Sequence, residues 1–213
     1  MILEREREQV VQYCQKMLND GLTIGTGGNI SVFDPETGYI AISASGYDYM
    51  KMTPADVVIM DLYGKKIDCD LKPSSEYPLH SSTYKARSDV RAIVHSHSKY
   101  ATILSTLGET LKPCLVQLAV VGFDVPCAKF HPVGSDGLAA SCVKALEDRD
   151  AALMACHGML AVSDSLPRAY SFAEYVEFAA EVYYKAKLLG EPYVLSESEM
   201  YYEVAAFRGS AKL

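Results

Sequence analysis

A chain of 213 residues with 49% apolar and 22% charged residues has the balance of one ordinary globular domain, 1–213, able to bury its own core. Its net charge of −7 and the lack of any long basic run argue against nucleic-acid partners and acidic membranes, yet leave room for a small phosphate held by backbone N–H groups. No apolar stretch approaches the ~20 residues that span a bilayer, residues 1–8 are too charged for a signal peptide, and the six cysteines include no C-x-x-C pair, so the expected location is cytoplasmic.

Glu4–Asn19 reads as a helix, because Val10, Val11, Cys14, Met17 and Leu18 recur at helical spacing and Gly21 stops the run. A small-residue loop, 23–29, follows. Residues 30–33 and 39–43 read as strands joined by the hairpin signal Asp34-Pro35-Glu36-Thr37-Gly38, and Ser45-Gly46 comes after the second. Thr53 caps a one-turn helix with Pro54 at its first position, 57–62 is a strand, and 63–66 is a turn. Lys72-Pro73-Ser74-Ser75-Glu76 ends a loop and opens a helix running to about Lys85. Residues 92–95 form a buried strand, followed by a helical pattern through Tyr100, Ala101, Ile103, Leu104 and Leu107. The spacing predicts a strand over 115–121, irregular chain over 128–134, a helix over 135–146 and a buried strand over 151–156. His157-Gly158 turns into a strand over 159–162, and the longest helix, Leu166–Leu189, comes next. A last helical segment covers 198–207. Mixed strands and helices with hairpins and no internal repeat argue for α/β or α+β layers.

His95 and His97 stand at i and i+2 at the end of the 92–95 strand, so both imidazoles face one side and can share a metal ion. His157, at a second strand end, is the third candidate ligand. Glu76 is the fourth, although an acid on a first helical turn is more commonly a capping or dipole-stabilising residue. Three imidazoles and one carboxylate suit a catalytic zinc site with an exchangeable position, whereas a structural site would be closed and cysteine-rich. His80, four residues after Glu76 on the same helix face, reads as a hydrogen-bonding or packing residue, with ligation as a further option. His131 receives no role.

Three small-polar clusters, Gly27-Gly28-Asn29, Ser45-Gly46 and Ser74-Ser75, have the character of anion-binding loops. Ser74-Ser75 also precedes a helix, whose N-terminus favours an anion next to Glu76.

These residues, in the order Gly25-Thr26-Gly27-Gly28-Asn29, Ser45-Gly46, Pro73-Ser74-Ser75-Glu76, His95-Ser96-His97 and His157-Gly158, resemble the zinc-dependent class II aldolases, within the wider aldolase, epimerase and adducin-head superfamily. The resemblance covers nearly the whole chain. It implies a three-layer α/β/α fold around a mostly antiparallel sheet, and a homotetramer with active sites at subunit interfaces. It implies one zinc ion per subunit on Glu76, His95, His97 and His157, with Glu76 also the base. It implies phosphate binding by Gly28, Asn29, Ser45, Gly46, Ser74 and Ser75. The activity implied is retro-aldol cleavage of L-fuculose 1-phosphate or a close ketose 1-phosphate to dihydroxyacetone phosphate and an aldehyde such as L-lactaldehyde.

The chain departs from the family pattern in three places. Ser45-Gly46 replaces a usual Thr-Gly. Gln117 falls where a proton-donating interface tyrosine is expected, and the tail Phe207-Arg208-Gly209-Ser210 lacks a second one, Tyr201 and Tyr202 lying too early. Two other enzyme readings use the same scaffold: a sugar-phosphate 4-epimerase and a dehydratase, including methylthioribulose phosphate chemistry. Glutamate at position 76 favours the aldolase, since the epimerases typically carry the shorter aspartate there. A non-catalytic module like the adducin head would show eroded metal ligands, and here all four are present.

Overall fold

In the computed structural model the described residues are 1–208. Eight strands form one sheet: β1 (Asn29–Asp34), β2 (Tyr39–Ile42), β3 (Val58–Asp61), β4 (Lys66–Asp68), β5 (Ala92–Ser96), β6 (Cys127–Ala128), β7 (Ala151–Met154) and β8 (Gly158–Ser163). Their order across the sheet is β4-β3-β2-β1-β5-β8-β7-β6. All neighbouring pairs are antiparallel except β6 and β7. The helices are α1 (Glu4–Asn19), α2 (Tyr77–Ala86), α3 (Lys99–Ser105), α4 (Asp136–Leu146), α5 (Leu166–Leu189) and α6 (Glu197–Arg208).

The sheet is covered on both faces, and the strand sequences show why. Successive side chains alternate faces, and most of these strands carry apolar residues on both faces, β2 and β7 at every position. Thus Ile30, Val32, Ala92, Val94, Leu153 and Ala161 pack with α1, α3, α5 and α6. Ile40, Ile42, Met60, Ile93, Leu160 and Val162 pack with Leu79 and Tyr84 of α2 and Leu138, Cys142 and Leu146 of α4. The result is the three-layer α/β/α arrangement with a mostly antiparallel sheet that the family resemblance implies. No described helix is long and apolar enough to cross a membrane.

The buried strand expected over 151–156 ends at Met154, with Cys156 exposed in a turn, and β4 begins at Lys66, which reads as turn. Two further stretches differ in kind. The expected strand over 115–121 contains a short 3-10 helix, Val116–Val120. Its apolar, β-branched composition suits a strand, but no strand of the sheet pairs with it. The segment lies against α5 and α6 rather than in the sheet. Within the stretch that reads as irregular, Ala128 joins Cys127 in the two-residue strand β6.

Candidate active site

The cavity of interest opens at one end of β1 and β5, against the start of α2. Antiparallel register puts Asn29 directly opposite His95. Ile93 faces α2 and α4, so His95, two residues on, projects the same way. His97 lies just past the strand end. His157 comes from the turn between β7 and β8, where Cys156 adopts a left-handed conformation (φ 57°) and its N–H donates to the Ser105 carbonyl. Glu76 is the residue immediately before α2, with no side-chain capping bond; the Ser74 hydroxyl accepts from its N–H instead, at 3.2 Å. The carboxylate therefore turns to the histidines rather than to its own helix, which sets aside the capping alternative.

One ligand atom from each of Glu76, His95, His97 and His157 falls within 4.8 Å of the others. Glu76 Oε2 lies 3.0 Å from His95 Nε2, and Glu76 Oε1 lies 3.7 Å from His157 Nε2. His97 Nε2 lies 3.0 Å from His95 Nε2. His95 Nδ1–H donates to the Met159 carbonyl at 2.8 Å, which aims the Nε2 lone pair into the cluster. Glu76 Oε1 is buried without a hydrogen-bond partner. Several lone pairs thus converge on one point with too few protons between them, a donor set that fits a divalent cation.

The electrostatics agree. Burial raises the Glu76 pKa, but the charge and hydrogen bond of His95 and then the charge of His157 outweigh it, so the carboxyl is held below its usual range. Burial lowers the His95 pKa, and Glu76 more than offsets it. In the metal-free site this pair therefore carries the shared proton. His97 is pushed down to about 4 by burial and then by its two neighbouring imidazoles, and His157 is lowered by burial and then by His95. Neutral imidazoles are the ligand form.

The three small-polar clusters meet this group in one cavity of about 210 Å³, lined by Thr26, Gly27, Gly28, Asn29, Ala44, Ser45, Gly46, Ser74, Ser75, Glu76, His97, Val133 and His157. The Ser45 N–H donates to the Lys72 carbonyl and the Ser74 N–H to the Ser43 carbonyl, joining two of the clusters side by side. Gly28 has φ 69°, and a Cβ there would lie 2.6 Å from the His95 carbonyl oxygen, so no larger residue lets this loop pass so close to β5. Tyr49, buried, donates its hydroxyl hydrogen to the Gly28 carbonyl at 2.6 Å and secures the loop. Among the described residues, no lysine, arginine or tyrosine lines the cavity. Its capacity for an anion rests on backbone N–H groups, hydroxyls, the Asn29 amide and the α2 N-terminus.

Larger cavities of about 450 and 460 Å³ lie elsewhere, one beside Phe123 and Arg149, the other beside Lys129, His131 and Lys144. Neither holds the Glu/His cluster. All the residues expected to bind metal or phosphate are in or at the smaller cavity; His95 lies just beneath it. Gln117 is not among its lining residues, and Gly209 and Ser210 of the tail lie outside the described residues. The sequence reading missed Ala44 and Val133, which contribute apolar wall, and Tyr49. Ala44 follows the second predicted strand, but nothing in the sequence places Val133 or Tyr49 against the site.

This is the fold of a class II aldolase. The family model described as the class II aldolase and adducin N-terminal domain matches residues 8–184, and the chain belongs to that family. Over 209 residues it is 43% identical to a protein of Bacillus thuringiensis serovar kurstaki named 5-deoxy-D-ribulose 1-phosphate aldolase, covering 98% of each chain. A 5-methylthioribulose-1-phosphate/5-deoxyribulose-1-phosphate aldolase of Escherichia coli O45:K1 is 35% identical, covering 91% of this chain and 90% of that one. A solved structure titled L-fuculose 1-phosphate aldolase superposes with a TM-score of 0.94 at 39% identity, covering 96% of both chains.

Proposed function

We propose that this aldehyde-lyase cleaves a deoxyketose 1-phosphate between C3 and C4 to dihydroxyacetone phosphate and a short aldehyde. We place 5-deoxyribulose 1-phosphate, which would release acetaldehyde, ahead of L-fuculose 1-phosphate, which would release L-lactaldehyde. The observation that carries the reading is the joining of a Glu/His cluster and three anion loops in one cavity. The order of substrates is supported by the 43% identical relative named for the deoxyribulose phosphate.

Glu76, His95, His97 and His157 would hold one divalent metal, zinc in our reading. When bound it would act as a Lewis acid on the substrate's C2 carbonyl and C3 hydroxyl oxygens. The remaining work falls to the chain. Gly28, Asn29, Ser45, Gly46, Ser74 and Ser75 bind the 1-phosphate and fix the distance from phosphorus to C2. The α2 N-terminus favours the phosphate charge without a lysine or arginine in the cavity. Cleavage removes the C4 hydroxyl proton, the C3–C4 pair passes toward the C2 oxygen, and C3 gains a proton. In the condensation direction the Glu76 carboxylate takes the C3 proton from dihydroxyacetone phosphate; in cleavage Glu76 first takes up a proton from water and then passes it to C3.

Among the described residues, no tyrosine or lysine of the cavity is placed to take the C4 proton, which falls to water or to a neighbouring subunit. The active form in our reading is a homotetramer, each chain one domain. Sedimentation should give four chains per particle. The direct test is a coupled assay for dihydroxyacetone phosphate across a panel of ketose 1-phosphates, with and without chelator. We expect release to be fastest from 5-deoxyribulose 1-phosphate, lost on chelation and restored by zinc. No release from any of them would overturn the aldolase reading, and faster release from L-fuculose 1-phosphate would reverse the substrate order.

A further inference from the structure

Between α2 and β1 lies a buried row of polar side chains that runs away from the metal cluster. Glu76, His80 and Tyr84 stand four residues apart, on one face of α2 and its entry. Asn29 and Ser31 stand two apart on the face of β1 toward α2. The two series alternate in space. Glu76 Oε2 lies 3.0 Å from Asn29 Nδ2, and Asn29 Oδ1 lies 2.5 Å from His80 Nε2. His80 Nδ1 lies 2.6 Å from Ser31 Oγ, which lies 2.6 Å from the Tyr84 hydroxyl. Every member is buried, and His80 and Ser31 are fully so.

The direction of this row follows from its end. An ionised carboxylate only accepts hydrogen bonds, so Asn29 must present its NH₂ to Glu76 and its oxygen to His80. His80 must then carry its proton on Nε2, and its Nδ1 must accept from Ser31. Tyr84 donates into Ser31 from the far end, its hydroxyl also lying 3.1 Å from the Ser31 carbonyl oxygen. A flipped Asn29 amide would set two oxygens against each other and leave two N–H donors facing across to His80 Nε2.

We propose that His80 is a positioning residue that locks the Asn29 amide, through its Nε2–H tautomer, so that Asn29 donates to Glu76 and keeps its second N–H free for an anion in the cavity. This couples the metal end to the anion end through one amide. It rests on the proposed function only for what the two ends bind; the hydrogen-bond direction stands without it. Burial, followed by the positive charge of His95, pulls the His80 imidazole down to about 3, so it is neutral over the working range.

Two measurements test the proposal. In the metal-free wild-type chain, ¹⁵N NMR of the imidazoles should find His80 as a single Nε2–H tautomer; an Nδ1–H tautomer, or a mixture, would overturn the proposal. This result does not depend on any activity. In the second, zinc affinity is compared across variants by competition with a chelating dye. His80→Phe removes both ring nitrogens, whereas the amide N–H of His80→Gln can stand in for Nε2–H. We expect His80→Phe to weaken zinc binding about tenfold or more, in the range for loss of a group that orients a metal ligand, and His80→Gln to recover most of it. Equal losses in the two variants would overturn the proposal. Absence of zinc binding in the wild type would instead overturn the proposed function, leaving the tautomer measurement to decide this inference.

Discussion

The two ends of the cavity are built differently. At the metal end, His95 is fully buried on a central strand, Glu76 is 4% exposed, and each is fixed by a hydrogen bond outside the cluster. At the anion end, Ser45, Gly46 and Ser75 are exposed on loops. The contrast teaches how a small site can divide its tasks. Bringing four ligands within 4.8 Å requires rigid elements and buried partners, while an anion tolerates several arrangements of donors. Changes at the metal end should therefore act on chemistry, and changes at the anion end on binding.

The sharpest break in that comparison is Glu76→Gln. An amide can still accept from Asn29 and meet a metal but cannot exchange the C3 proton, so kcat should fall by about 10²-fold or more while zinc remains bound, as read by metal analysis after dialysis. Metal affinity should also depend on pH. His97 is pushed down to about 4 and His157 is lowered, whereas His95 is raised by Glu76, so the Glu76–His95 pair is the last of the cluster to give up its proton as pH rises. Metal entry must expel it. Zinc affinity should thus rise with pH, about tenfold per unit below the raised His95 pKa, and flatten above it. A titration flat from pH 5 to 8 would show that no proton leaves.

Gly28→Ala probes the junction of the two ends. It forces a Cβ into the left-handed region and against the His95 carbonyl, and should cost about 2 kcal/mol or more in urea unfolding. The smallest effect belongs to the exposed end. Ser75→Ala should raise KM about fivefold, the value of one hydrogen bond, with kcat little changed. A collapse of kcat there would erase the division of labour.

The sequence makes the metal end legible and the row behind it nearly invisible. His95 and His97 declare themselves by a strand period, and α1 and α5 fall on their predicted bounds because long apolar periodicities leave few alternatives. The pairing of Asn29 with His95 depends on strand register, and the alternation of Asn29 and Ser31 with Glu76, His80 and Tyr84 depends also on the phase of α2 over β1. Those are tertiary quantities. The spacings Glu76-x-x-x-His80-x-x-x-Tyr84 and Asn29-x-Ser31 are the sequence trace they leave, and each alone looks like ordinary packing. The 3-10 helix at Val116–Val120 escaped for the opposite reason: its local composition favours a strand, and only the lack of a neighbouring strand to pair with decides otherwise.

The central claim is that metal and anion share one cavity. It is tested most directly by loading the chain with Co²⁺ in place of zinc and following the ³¹P relaxation of added inorganic phosphate by NMR. A phosphate held by residues 28–29, 45–46 and 74–75 should relax much faster in the Co²⁺-loaded chain than in the Zn²⁺-loaded one, and Ser75→Ala should reduce the effect. Phosphate that binds with equal relaxation in both forms would place the two sites apart and contradict the account.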